Sequence, residues 1–307
     1  MPSTPSNFLP VTNYSLWLTL NCGQAFAWEP CGGDSHVGVI GTTAVRVTQR
    51  PGGLEWLASR PLDPAVLRHY FQTDVDFESL TRSFPANDPH VQNAVRFCRG
   101  MRLLRQDPWE CLASFLLSPL KQIVQIRQVV ATLKQSLGES VEFQGHTLYT
   151  FPSPGRVAQA GEKILRACKM GFRARNLQRT AAQIAAGEVD LAALEPLSYP
   201  EAVTELCRLH GVGKKIADCV LLFAYGKQEA FPIDVWIERV LHRLYFPKAR
   251  KMTRERLEKF AATAFGPNGG YVQQYLFHYI RHHPQVIGLE LKTPRARMPR
   301  LLKKSPP

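Results

Sequence analysis

Two adjacent lysines, Lys214 and Lys215, and a later aspartate, Asp234, are the residues whose types and order could make and break covalent bonds. A lysine near other positive charge and partly desolvated gives up its proton more readily and becomes an amine nucleophile. A carboxylate at the same point stabilises positive charge developing on a sugar, as in glycoside cleavage through an oxocarbenium-like transition state. The pair therefore suits displacement at the anomeric carbon of a nucleotide. Attack on C1′ would release the base and leave an imine to the sugar; the imine acidifies C2′, so the 3′ phosphate can be eliminated and the strand nicked. Taken alone, a lysine in such a place is an ordinary phosphate contact. The Phe231-Pro232-Ile233 run before Asp234, which suggests a shielded carboxylate, tips the reading toward chemistry.

Positioning such a pair requires a rigid turn between helices. Pro200 to Leu209 reads as a short helix with Leu206 and Leu209 on one side. Gly211-Val212-Gly213 then makes a tight turn, because glycine enters positive φ at little steric cost. A second helix follows, with Ile216, Val220, Leu221 and Ala224 at helical spacing. Its unpaired N-terminal N–H groups and its dipole form an anion site, to which Lys214 and Lys215 add charge. The stretch is a compact grip for a DNA phosphate.

Charge agrees with that partner. Of 307 residues, 38 are Lys or Arg and 25 Asp or Glu, giving a net charge of +13, which favours a polyanion. Hydrophobic residues make up 45%, as a folded chain with a sizeable core requires. The seven cysteines contain no Cys-x-x-Cys spacing, so neither a zinc site nor a disulfide framework is encoded, and reduced, buried thiols are expected. No four-cysteine cluster follows Cys219, which excludes an iron–sulfur cluster near the C-terminus. The N-terminus lacks the order of a signal peptide, and runs such as Cys219–Tyr225 are too short to span a bilayer. An intracellular protein, in cytoplasm and nucleoid or in the nucleus, is expected, with no membrane partner.

The chain divides into a strand-rich N-terminal part and a helical remainder. Residues 14 to 60 read as an antiparallel sheet, with Phe26 and Trp28 alternating as in a strand. Asp63-Pro64, Asp88-Pro89 and Asp107-Pro108 each pair an N-cap aspartate with a first-turn proline and open helices. Further helices are predicted over 122–137, 155–160, 161–168, 173–186, from 235 to 246, 253–265 and 271–282. The fold class is α+β: an N-terminal β-rich domain over residues 1–100, an all-α region over 101–291 and a basic disordered tail over 292–307. Met170-Gly171-Phe172-Arg173-Ala174-Arg175 places an aromatic beside arginines at a glycine turn, which fits either an apolar wedge for a duplex or a core aromatic at a helix start.

Gly211–Cys219 with Pro232-Ile233-Asp234-Val235 resembles the helix-hairpin-helix DNA glycosylase superfamily, and most of all its lysine-bearing 8-oxoguanine DNA glycosylases. The similarity runs from about residue 14 to 285 and includes Asn21–Trp28, Leu104–Leu112, Gly171–Arg175 and Phe265-Gly266-Pro267 followed by Gln273 and Phe277. The resemblance implies a bifunctional glycosylase and AP lyase that flips 8-oxoguanine out of duplex DNA, acts as a monomer, and needs no cofactor or metal for its chemistry. It implies that Lys215 is the nucleophile and Asp234 the catalytic aspartate. Gly23 would offer its carbonyl to the N7–H that 8-oxoguanine has and guanine lacks. Phe277 and Cys219 would sandwich the base and Gln273 bond its Watson–Crick edge. Phe172 and Arg173 would serve as wedge and opposite-base contact, and Gly211, Gly213, Lys214 and Gln122 would lie along the DNA. Two departures stand out. Leu120 occupies the position of an asparagine that contacts the opposite cytosine, and Trp236 that of a histidine near a phosphate. Weaker opposite-base discrimination is therefore expected. The alternatives are a glycosylase of the same fold for other damaged or mismatched bases, and a non-catalytic DNA-binding protein.

Overall fold

A computed structural model describes residues 7–119 and 121–289. Leu120 and the basic segment 292–307 lie outside the described residues. Strands β1 (Phe8–Pro10), β2 (Glu29–Pro30), β3 (Ser35–Ile40), β4 (Thr43–Arg50) and β5 (Gly53–Ala58) form one antiparallel sheet in the order β1-β5-β4-β3-β2. Pro51-Gly52, with Gly52 at φ 82°, closes the β4–β5 hairpin as a type II turn requires. Trp28, Leu54, Trp56, Tyr70 and Phe71 fill the core between this sheet and the helix Pro64–Phe71.

The Asp-Pro signatures open helices at Pro64, Pro89 and Pro108, and Asp63, Asp88 and Asp107 each accept first-turn N–H groups at 2.8–3.1 Å. Such a cap is worth about 1 kcal/mol. Around them a larger apolar core takes in the helices Pro108–Leu116, Lys214–Phe223 and Gly269–His282, whose side chains are buried on nearly every face. Helices Ile123–Leu137, Arg173–Ala185, Val235–Tyr245 and Arg254–Phe265 fall within a residue or two of their expected bounds. The two helices expected over 155–160 and 161–168 are present, joined end to end over Pro154–Ala167 and divided at the non-helical Gly161 (φ 75°, ψ 165°).

Four sequence expectations are corrected. Residues 16–21 form a helix, not a strand, because Leu16, Thr19 and Leu20 share a buried face at i, i+3, i+4 and Ser15 caps it. Phe26 and Trp28 do not alternate along a strand; they lie in an irregular segment and enter different cores. A hairpin that sequence reading passed over, β6 (Ser140–Phe143) and β7 (His146–Tyr149), turns through Gln144-Gly145, both at positive φ, and packs Phe143 against Val39 and Ala44 of the sheet. Cys31 and Cys207 are exposed, while the other five thiols are buried.

Residues on both sides of position 100 enter each core: Leu104 joins the sheet's cluster, and Cys22, Phe26 and Phe84 join the helical one. The loop from Cys22 to Gln24 is the hinge of this arrangement. Gln24 is fully buried, and its amide bonds the carbonyls of Thr19 and Arg102 and the N–H of Leu104 at 2.8–2.9 Å. Gln106 donates to the Gln24 carbonyl at 2.9 Å and binds the Phe223 carbonyl through its own N–H. The loop is thereby fixed to the end of the helix that carries the two lysines.

Candidate active site

The turn between Tyr199–Cys207 and Lys214–Phe223 is held from outside. Thr180 donates its hydroxyl to the His210 carbonyl at 2.6 Å, and the His210 N–H donates to Gln183 at 2.7 Å. Gly211 adopts φ 79°, and a Cβ there would sit 2.8 Å from the Asn176 side chain, so only glycine fits. Gly213 begins the second helix, whose first N–H groups have no acceptor within it.

Successive residues on a helix point about 100° apart, so Lys214 and Lys215 diverge. Lys214 donates to both oxygens of Asp218, at 3.1 and 2.9 Å, and to the Tyr199 hydroxyl at 2.9 Å, with Glu258 at 3.8 Å. Asp218 is wholly buried; burial raises its pKa and the Lys214 ammonium works against that rise. The structure therefore turns Lys214 away from Lys215 and holds its charge against carboxylates. Lys215 donates to the Ser118 hydroxyl at 3.3 Å and lies 5.2 Å from the centre of the Phe115 ring. Among the described residues Lys215 has no ion pair.

Lys215 and Asp234 line one pocket, together with Gly23, Cys219, Gln273 and Phe277. Phe115, Phe223, Pro232 and Gln274 complete its wall. Asp234 is the N-cap of Val235–Tyr245, accepting from Ile237 N–H at 2.8 Å, which fixes the carboxylate at a positive helix end. Cys219 stands one turn after Lys215; burial pushes its thiol up to about 11 against the pull of the Lys215 ammonium, so it lines the pocket as a neutral group. Gly23 (φ 94°) leaves no room for a side chain, since a Cβ would lie 2.5 Å from Ile123. Gln274 donates to the Cys22 carbonyl at 3.0 Å and braces the same loop. Gln273 is 4% exposed and its side-chain oxygen has no hydrogen-bond partner in the protein.

The pocket measures about 40 Å3. At roughly 10–15 Å3 of such volume per water, that is room for a few waters. Phe277 is half-buried on the pocket wall, with the Arg281 guanidinium 5.3 Å from its ring centre.

A second cluster lies beside the loop 118–122. Phe172 is 56% exposed at the start of Arg173–Ala185, so it is not a core residue. Arg173 is buried, stacks 4.3 Å over the Phe172 ring and donates to the Pro119 carbonyl. Gln122 opens the helix Ile123–Leu137 in a capping box with Gln125. Trp236 sits apart from both, half-buried in the first turn after Asp234, with the Arg239 guanidinium 5.9 Å from its ring. Sequence reading missed Ser118, Phe115 and Gln274 as neighbours of the lysine and the loop. The Phe and Gln carry no local signal that separates them from core residues.

Comparison with known proteins rests on this whole arrangement. A model of the 8-oxoguanine DNA glycosylase N-terminal domain matches residues 8–112, and one of the HhH-GPD superfamily base excision DNA repair proteins matches residues 120–263. The chain is 30% identical to N-glycosylase/DNA lyase OGG1 of Arabidopsis thaliana over 282 residues, 87% of this chain and 77% of that protein. It belongs to the 8-oxoguanine DNA glycosylase family. Among solved structures of similar fold, the Clostridium acetobutylicum 8-oxoguanine glycosylase/lyase in complex with double-stranded DNA containing cytosine opposite 8-oxoguanine superimposes with a TM-score of 0.82 at 28% identity, covering 90% of this chain and 98% of that one. MBOgg1 in complex with a low-affinity DNA ligand gives 0.84 at 33% identity, covering 89% and 94%. The two family matches leave residues 113–119 between them, so in this glycosylase the pocket draws Gly23 from the first matched segment, Phe115 from the stretch between, and Lys215 and Asp234 from the second.

Proposed function

We propose that this chain binds double-stranded DNA, flips 8-oxoguanine into the pocket of Gly23, Gln273 and Phe277, and acts as a bifunctional glycosylase and AP lyase through Lys215 and Asp234. The observation that carries the reading is an amine and a helix-capping carboxylate lining one pocket whose remaining walls are a backbone loop, a thiol, an amide and an aromatic ring. Flipping is required because C1′ is shielded from in-line attack while the base is stacked. The Lys215 amine, once deprotonated, forms a bond to C1′ as the bond to the base nitrogen breaks, and Asp234 stabilises the positive charge on the sugar during the exchange. Ring opening gives the imine; loss of the C2′ proton then expels the 3′ phosphate.

Base choice follows from hydrogen-bond matching. A carbonyl at Gly23 accepts an N7–H and is left facing a lone pair by guanine, and an unmatched buried acceptor costs about 1–3 kcal/mol. The idle amide of Gln273 supplies a second reader. Phe172 enters the stack as a wedge, and Arg173, beside Pro119, faces the opposite base. The family segments leave a non-catalytic binder without a reason for Lys215 and Asp234 to share a pocket.

Borohydride added to the protein with an 8-oxoguanine duplex should trap a covalent complex, and Lys215→Gln should abolish it. Trapping that survives in Lys215→Gln would move the nucleophile elsewhere. No trapping and no nick with the unaltered protein would sink the reading.

A further inference from the structure

Beyond Asp234 the structure opens into a second concavity that the chemistry above does not use. It begins at Val235, one residue from the catalytic carboxylate, and runs between the exposed face of Val235–Tyr245 and the segment leading into Arg254–Phe265. Its volume is about 430 Å3. Arg239 and Arg243 line it from the helix, Arg250 and Lys251 from the facing segment, and all four are exposed. Glu238 is its one carboxylate, and His242 also borders it. Among the described residues none of the four cations is in an ion pair, whereas Arg254 and Lys214 nearby are held by Glu258. The floor is apolar, formed by the buried Met252 and Leu257, so the cations are carried at the rim rather than drawn inward.

We propose that this groove holds the sugar-phosphate backbone of the DNA strand as it leaves the flipped nucleotide. The inference rests on the reading of Lys215 and Asp234 as the reacting pair, because that reading places the sugar beside Val235. Two helix N-termini, at Gly213 and Asp234, flank the pocket; the free amides of the first take one flanking phosphate, and the groove continues from the second. From Val235 to Arg243 the helix advances about 12 Å at ~1.5 Å per residue, a span that accommodates about two successive phosphates. Unpaired guanidinium groups facing each other across an open groove are suited to phosphate oxygens, which they bind bidentately. Arg239, lying against Trp236, brings positive charge next to a side chain that has none.

The test compares Arg239→Gln/Arg243→Gln/Arg250→Gln/Lys251→Gln with a control, Arg60→Gln/Arg68→Gln, whose two arginines are exposed, one just before the helix Pro64–Phe71 and one within it. Kd is measured for an undamaged duplex and an 8-oxoguanine duplex across a salt series, with thermal melting to confirm folding. Each lost phosphate contact lowers the slope of log K against log salt by about 0.9, so the groove variant should lose about two from the slope for both duplexes. Its affinity at low salt should fall by at least ~10-fold, and the control should keep its slope. An unchanged slope in the folded groove variant overturns the proposal. So does an equal loss per removed charge in the control, which would make the effect one of net charge, or a loss confined to the lesion duplex, which would place it in the base pocket. The undamaged duplex tests the groove even if borohydride trapping fails, so the two readings fall separately.

Discussion

Lys214 and Lys215 are neighbours in the chain and strangers in the structure. One ammonium is held by a buried carboxylate, a phenol and a second carboxylate behind the hairpin. The other has a serine hydroxyl, an aromatic face and an open pocket with Asp234 on its wall. The first ammonium is tied into a network of carboxylates, and the second is left facing the pocket. The difference is made by a 100° step along one helix and by where the carboxylates stand.

The largest break in that comparison is Lys215→Gln, which should end covalent trapping altogether while Lys214 remains in place. Asp234→Asn comes next. It keeps a cap oxygen for Ile237 and removes the charge, so single-turnover base release should slow by roughly 10²-fold or more with little change in duplex affinity. If affinity collapses instead, the carboxylate is structural. Asp218→Asn tests the other lysine: it leaves a partner for Tyr199 but takes the nearest negative charge from the Lys214 ammonium. Removing one member of a fully buried pair costs ~3–5 kcal/mol, and because the Lys214 side chain is 39% exposed the expected loss is about 1–3 kcal/mol, read by denaturant melting. A variant as stable as the parent would show that the pair holds nothing.

Opposite-base choice should move less. Leucine at position 120 cannot hydrogen-bond cytosine, so excision rates with C, A, G or T opposite the lesion should lie within about 10-fold of one another, a difference of ~1.4 kcal/mol. A strong preference for cytosine would place its recognition on Arg173 alone. A last test lies away from the two lysines, in acid stability. Burial, with the charges of His282 and Arg281, holds His278 at about 4 instead of 6.5. Between those values the unfolded chain binds a proton that the folded one does not, so stability is full above pH 6.5 and falls as pH drops toward 4. His278→Gln should flatten that part of the stability curve; an unchanged curve would assign the loss to other groups.

Much of this was legible because the signals are local. Asp-Pro pairs announced three helix starts, and Gly211-Val212-Gly213 announced the hairpin, since a cap and a positive φ each depend on one or two residues. Leu16–Asn21 was misjudged because an alternating Leu-Trp-Leu-Thr-Leu fits a strand as well as a helix, and only packing of Leu16 and Leu20 decides. The hairpin at Gln144-Gly145 was missed for want of the usual Asn-Gly. Lys215 and Asp234 could be paired from motif order, but the sorting of the lysines could not, because Asp218, Tyr199, Ser118 and Phe115 reach them through the fold.

The idle amide of Gln273 has a consequence for the resting molecule. A buried oxygen with no protein donor is met by water or by a ligand, since leaving it bare costs about 1–3 kcal/mol. On the proposed reading a base with a suitably placed N–H takes the place of that water, so the contact is worth the difference between two donors and not a whole hydrogen bond. A departing base hands the oxygen back to water, so the contact reads the base without retaining the product.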